Sequence, residues 1–73
     1  MLTRFDADKL RETRKSRNHS QMRLAELCDI TDRYIRDLEC GRKCNPSAAM
    51  LRRLSTVLGI TMEELIEIEM EEE

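Results

Sequence analysis

Tryptophan is absent from this 73-residue chain, and its aromatic residues are one Tyr and one Phe. A core built from it is therefore aliphatic. Proline occurs once and glycine twice, which excludes a collagen-like or loop-dominated chain and favours helices. No apolar run approaches the roughly 18 residues of a membrane span. The opening Met1-Leu2-Thr3-Arg4-Phe5-Asp6 lacks a basic segment followed by an apolar one, so no secretion signal is read there. The three cysteines, Cys28, Cys40 and Cys44, are an odd number. Without a secretion signal they argue against a disulfide framework, and reduced thiols in a cytoplasm are the expectation. The length allows one domain, with a core rarely worth more than about 3–5 kcal/mol and no room for a separate substrate domain.

What is present points to a small folded helical domain. Hydrophobic residues make up 40% of the chain, too many for disorder. The net charge of −2 hides a strong asymmetry. Residues 1–53 carry all 13 basic and eight acidic residues, leaving +5. Residues 54–73 carry seven Glu and no base, leaving −7. The chain is a basic body followed by an acidic end.

Asp6 is a good N-cap for a first helix whose apolar side holds Leu10, with Ala7 and Thr13 around it, and whose C-terminal turns are basic. Asn18 suits a left-handed helix end where glycine is absent. Ser20 caps a second, short helix with Leu24, Leu27 and Cys28 at helical spacing. Cys28 reads as a small core residue. Asp29 marks a turn of unusual backbone conformation. Thr31 caps a third helix with Ile35 and Leu38 inward, and Asp32, Arg33, Arg36 and Asp37 outward. Gly41 stops it. Arg42-Lys43-Cys44-Asn45 is a basic loop, and Pro46 sits at the start of a fourth helix carrying Ala48, Leu51, Leu54, Val57 and Leu58. Gly59 ends that helix. Thr61 and Glu64 form a capping box, from which Leu65 and Ile66 continue a short fifth helix. The alternation Ile66-Glu67-Ile68-Glu69-Met70-Glu71 has period two, so the tail is left open between strand and disorder. The domain is assigned to residues 1–66 and the acidic tail to 67–73.

Two short helices joined by a tight turn, the second with a polar outer face, form the helix-turn-helix pattern. Ala25 must be small where the two helices cross. Ile30, Ile35 and Leu38 must be apolar to hold the second helix on the body, which leaves one face for a major groove. In order and spacing, Arg14, Ser20-Gln21, Leu24-Ala25, Ile30-Thr31, Ile35, Leu38-Glu39, Gly41, Pro46, Leu54, Leu58-Gly59-Ile60 and Leu65 resemble the Cro/lambda-repressor-like (XRE) helix-turn-helix family. The likeness runs from Leu10 to Leu65, about three quarters of the chain.

The resemblance implies an all-α, five-helix DNA-binding domain with Thr31 to Glu39 as the recognition helix. It places Asp32, Arg33, Arg36 and Asp37 at or beside base-contacting positions. Gln21, Arg42, Lys43 and Asn45 fall on phosphate-contacting positions. Arg14 and Glu39 match a buried structural salt bridge. The chain departs from the family where Asp29 and Asn18 replace common glycines and His19 replaces an apolar residue. Two aspartates on the recognition helix repel phosphate and accept only from an amine such as cytosine's, which leaves Arg33 as the strongest choice for a bidentate contact to guanine. Equally, Asp32–Arg36 and Arg33–Asp37 are spaced as ordinary i, i+4 surface ion pairs.

The expected function is a sequence-specific transcriptional regulator, a repressor binding operator DNA as a homodimer. Its dimer contacts are assigned to Ile66, Ile68 and Met70, because no further domain is available for them. The alternative is an antitoxin or another protein-interaction module on the same fold, with a toxin or other protein as partner. A thiol or metal sensor on Cys40 and Cys44 ranks third, since their spacing with His19 does not follow a metal-ligand pattern. No cofactor is expected. No enzyme is expected either, because the sequence offers no nucleophile–base pair and no phosphate-cradling glycine loop.

Overall fold

The computed structural model describes residues 2–69. The elements in chain order are strand β1 (Leu2–Phe5), helices α1 (Ala7–Ser16), α2 (Gln21–Cys28), α3 (Asp32–Glu39) and α4 (Ala48–Leu58), a 3-10 turn at Glu63–Leu65, and strand β2 (Ile66–Glu69). Each of the four helices begins where a small polar side chain caps it. Asp6, Ser20, Thr31 and Ser47 accept the backbone N–H of Lys9, Arg23, Tyr34 and Met50. The helices are eight to eleven residues long, too short to persist in water unpacked.

Three of the helix ends share one solution. Asn18, Asp29 and Gly59 adopt left-handed backbone at φ 59, 56 and 71°. After each, the next N–H turns back to a carbonyl of the last turn: His19 to Arg14 at 3.1 Å, Ile30 to Ala25 at 3.0 Å and Ile60 to Ser55 at 3.1 Å. These are Schellman ends, which satisfy carbonyls that the helix leaves unpaired. The Arg17 guanidinium adds a further donor, reaching the Leu58 carbonyl at 3.0 Å and joining the ends of α1 and α4.

The core is aliphatic apart from Phe5. Leu10, Leu24, Ile35, Leu38, Leu54, Leu58 and Leu65 are fully buried, with Ala25 and Cys28 beside them. Full burial of one such side chain stabilises by about 1.5–3 kcal/mol. Ala25 is buried in α2, which packs against α3. Leu27 shares helical spacing with Leu24, yet it is 40% exposed.

The chain end departs from the five-helix expectation. The capping box forms: the Thr61 N–H donates to Glu64 Oε2 at 2.8 Å, and the Glu64 N–H donates to Thr61 Oγ1 at 3.3 Å. It supports a single 3-10 turn, not a fifth α-helix. From Ile66 the chain runs as strand and pairs antiparallel with β1, Phe5 opposite Ile66 and Leu2 opposite Glu69. The period-two alternation is thereby used by a sheet. No partner strand was foreseen, because Leu2–Phe5 is too short to signal one. The boundary drawn between residues 66 and 67 falls inside β2. Of the residues assigned to dimer contacts, Ile66 is half-buried and lies opposite Phe5, Ile68 lies opposite Thr3 in the ribbon, and Met70 lies outside the described residues.

Candidate nucleic-acid interface

The turn between α2 and α3 depends on Asp29, whose left-handed backbone redirects the chain within two residues. Ile30 and Thr31 follow, and the Thr31 hydroxyl accepts the Tyr34 N–H at 3.2 Å. Ile35 and Leu38 then seat α3 with no exposed surface of their own. One helix face is fixed, and the other is presented.

Glu39 anchors the far end of α3. Arg14 of α1 reaches it with two bonds, Nε to Oε2 at 2.6 Å and Nη2 to Oε1 at 3.0 Å. Both side chains are buried, at 10% and 4% exposure. Arg14 Nη1 also donates to the His19 carbonyl at 2.9 Å, and the Gln21 amide donates to Glu39 Oε1 at 3.3 Å. A fork of this kind fits a carboxylate in both geometry and charge. It ties α1, the turn after it, the start of α2 and the end of α3 into one network. Gln21 is thus a brace for α3 as well as a half-buried group at the helix N-terminus.

On the outer side, Arg33 and Arg36 are exposed. Arg36 pairs with Asp32 at 3.2 Å, at 60% and 43% side-chain exposure, a geometry worth little in water. Among the described residues Arg33 has no ion pair, and the spacing-based partner Asp37 is engaged elsewhere. Asp37 corrects the sequence reading. It is 6% exposed and does not belong to the presented face. Gly41, at φ 81°, turns the chain back over it. The Lys43 N–H then donates to the Asp37 carbonyl at 3.1 Å, and Arg42 stands 3.8 Å from its carboxylate. Helical periodicity points Asp37 outward, yet it is buried, with Arg42 and Lys43 of the following loop set against it.

That loop carries the remaining cations. Lys43 places its ammonium 5.3 Å from the centre of the Tyr34 ring, within cation–π range. Burial raises the Tyr34 phenol above its usual pKa, so the hydroxyl stays protonated. Thr31, Arg33, Tyr34, Asp37 and Lys43 together line a shallow depression. Tyr34 and Lys43 also line a second depression with Arg42, Cys44 and Asn45, and Arg42, Lys43, Cys44 and Asn45 are all exposed. The sequence missed the Tyr34–Lys43 contact, whose only trace was the single tyrosine beside a basic loop.

Cys40 and Cys44 are exposed free thiols. Cys28 is buried, and its thiol is pushed up by desolvation, with Arg53 pulling weakly the other way. Burial and a raised pKa both make it a poor nucleophile. Among the described residues no group of three or more His, Cys, Asp and Glu is placed to hold a metal ion. No helix among them is long and apolar enough to cross a membrane.

A helix-turn-helix with a braced inner face, a cationic outer face and a basic loop beside it defines the class of fold. The family match agrees: the helix-turn-helix family HTH_3 matches residues 10–65. The chain belongs to this family, of the Cro/lambda-repressor-like (XRE) type. It is 38% identical over 60 residues to the HTH-type transcriptional regulator DdrOP3 of Deinococcus deserti, covering 82% of this chain and 46% of that protein, so it spans under half of that relative's length. Among solved structures it resembles the restriction-modification controller protein C.AhdI of Aeromonas hydrophila, with a TM-score of 0.75 and 34% identity over 81% of this chain and 88% of that one. It also resembles the biofilm master regulator SinR in complex with DNA, with a TM-score of 0.78 and 27% identity over 81% of this chain and 94% of that one. SinR is a Bacillus subtilis protein.

Proposed function

We propose that this chain is a cytoplasmic, sequence-specific DNA-binding regulator that represses by occupying operator DNA as a homodimer. The observation that carries this reading is the outer face of α3. Arg33 and Arg36 stand exposed on a helix whose far end is anchored by a buried, fully hydrogen-bonded Arg14–Glu39 pair. In this reading α3 enters the major groove, and Arg33 reads guanine through its N7 and O6. Arg36 exchanges its exposed Asp32 partner for a base or phosphate, leaving Asp32 to accept from a cytosine amine. Gln21, Arg42, Lys43 and Asn45 contact phosphates and set the register. Asp37 has no base contact and orders the loop. No catalytic step is assigned.

The decisive experiment is in vitro selection of bound DNA from a random pool. The expected result is a palindromic motif with half-sites about 34–36 Å apart, one helical turn. Failure to enrich any motif at low salt would overturn the reading. A protein partner is a second reading, favoured by the groove between α2 and α4. There exposed Leu27 lies beside Val57, with Arg52 and Arg53 alongside, a combination suited to an acidic, partly apolar segment. A SinR–SinI complex shows that a neighbour of this fold engages protein as well.

A further inference from the structure

Helix α4 carries two stripes. Leu51, Leu54 and Leu58 face the core at i, i+3 and i+7. Ala49, Arg52, Arg53, Thr56 and Val57 follow one another at i, i+3, i+4, i+7 and i+8, and this second stripe lines a groove shared with the end of α2. Leu27 and Cys28 form the α2 side of it. Among the described residues the exposed large apolar side chains are Met22 and Leu27, and Leu27 is the one in the groove. The groove measures about 570 Å³, more than one side chain fills, since about 150 Å³ already holds a benzene ring. An apolar centre with a charged rim is the anatomy of an interface.

The rim is cationic, and its cations are spare. Arg4, Arg11, Arg14, Arg23, Arg36 and Arg42 each pair with a carboxylate, and Arg17 donates to a carbonyl. Among the described residues the guanidiniums of Arg33, Arg52 and Arg53 have no such partner. Arg33 faces the major groove in the operator reading. Arg52 and Arg53 line a groove that shares no residue with the two depressions beside α3. Asp29 stands on the same rim and pairs with neither. The Arg53 charge is felt at the buried Cys28 thiol, across the groove floor. Two unpaired guanidiniums side by side favour carboxylates, which they bind by fork geometry as well as charge. The main chains of α2 and α4 are bonded within their own helices, so the groove offers nothing to an extended backbone. An occupant lying on its apolar floor has to satisfy its own main chain, which a helix does. This chain's own exposed acids gather from Glu63 onward, in a 3-10 turn and a strand, so a second copy is a poor match.

We propose that the α2–α4 groove docks an acidic amphipathic helix of a separate protein, its apolar face over Leu27, Ala49 and Val57 and its carboxylates on Arg52 and Arg53. This deepens the protein-partner reading and rests on it for its biological role. It does not depend on the operator reading, because the helix and the DNA are assigned different surfaces. The α4 stripe from Ala49 to Val57 is about 12 Å long at 1.5 Å per residue. It therefore takes two to three turns of the partner, roughly, with apolar side chains at i, i+3, i+4 and i+7.

The probe is a synthetic stapled helix of about three turns, with leucines at that spacing and glutamates flanking them, set beside a counterpart in which lysine replaces every glutamate. Fluorescence anisotropy of each, titrated with the full chain, should show the glutamate helix binding about tenfold or more tightly than the lysine helix. Arg52→Glu and Arg53→Glu made together should reverse that order. Lys15→Glu, the same change of charge on the exposed side of α1, should leave it as it is. Leu27→Ser should weaken the glutamate helix at an unchanged melting temperature, because Leu27 is already 40% exposed. On wild-type protein, which needs no variant to fold, amide shifts on adding the glutamate helix should gather at Leu27–Asp29 and along Ala49–Val57. No binding of the glutamate helix, or shifts gathered on α3 and its loop, would overturn the proposal. Binding that survives the double charge reversal would also overturn it, while leaving an acidic partner for another surface of the chain. If the wild type ignores both helices and the double reversal costs far more affinity for random DNA than Lys15→Glu does, the groove belongs to phosphate and the proposal fails.

Discussion

The two faces of α3 are eight residues of one helix with opposite physical roles. On the inner face Ile35 and Leu38 have no exposed surface, and Glu39 is 6% exposed and bonded to both Arg14 and Gln21. On the outer face Arg33 and Arg36 are exposed, and the ion pair of Arg36 with Asp32 is solvent-screened. The inner face settles where the helix is, and the outer face is free to vary without changing that. Substitutions on the two faces should therefore separate cleanly into stability effects and binding effects.

The largest effect belongs to Glu39→Ala. It leaves the Arg14 guanidinium buried without its carboxylate, at a cost of about 3–5 kcal/mol. Chemical denaturation should register it fully, and DNA affinity should fall only as the folded fraction falls. A near-neutral change in stability would mean that Arg14 finds water or another acceptor, and the contrast between faces would collapse at its strongest point.

Arg33→Ala tests the other face. It should weaken binding to the selected operator by about 1–3 kcal/mol and relax preference at one base position, with the unfolding midpoint unchanged. Equal losses on operator and random DNA would reassign Arg33 to phosphate. Lys43→Ala should act more mildly and without sequence preference, lowering the salt slope of binding by about one. Titrations at several salt concentrations read both quantities together.

The inner face was legible in the sequence because periodicity and capping are local. Thr31, Ile35 and Leu38 announce a capped amphipathic helix, and Asn18, Asp29 and Gly59 announce its neighbours' ends. The outer face was legible only in part. Asp37 lies on the solvent side of the helical repeat, yet it is buried with a loop reversing at Gly41 set against it, and that reversal is a tertiary fact. The same limit hid the ribbon. Ile66–Glu69 alternates visibly, but its partner Leu2–Phe5 is 61 to 67 residues earlier and four residues long. Non-local pairing of short strands leaves almost no mark in either strand alone.

The smallest effect is the most discriminating about the turn that joins the two helices. Asp29 holds φ 56° and ψ 47°, a region that costs most L-residues about 1–2 kcal/mol and aspartate less. Asp29→Gly removes that strain, while glycine's freedom in the unfolded chain takes back about 0.4–1 kcal/mol. The expected net gain is a few tenths of a kcal/mol, read as a slightly higher denaturation midpoint. Because glycine accepts the same backbone angles, α3 keeps its position and operator affinity stays at the wild-type level. A loss of stability would show that the Asp29 carboxylate contributes an interaction that offsets its strain, beside Arg52 and Arg53 in the α2–α4 groove. A loss of affinity without a loss of stability would place the turn itself in the binding surface and redraw the boundary between the two faces.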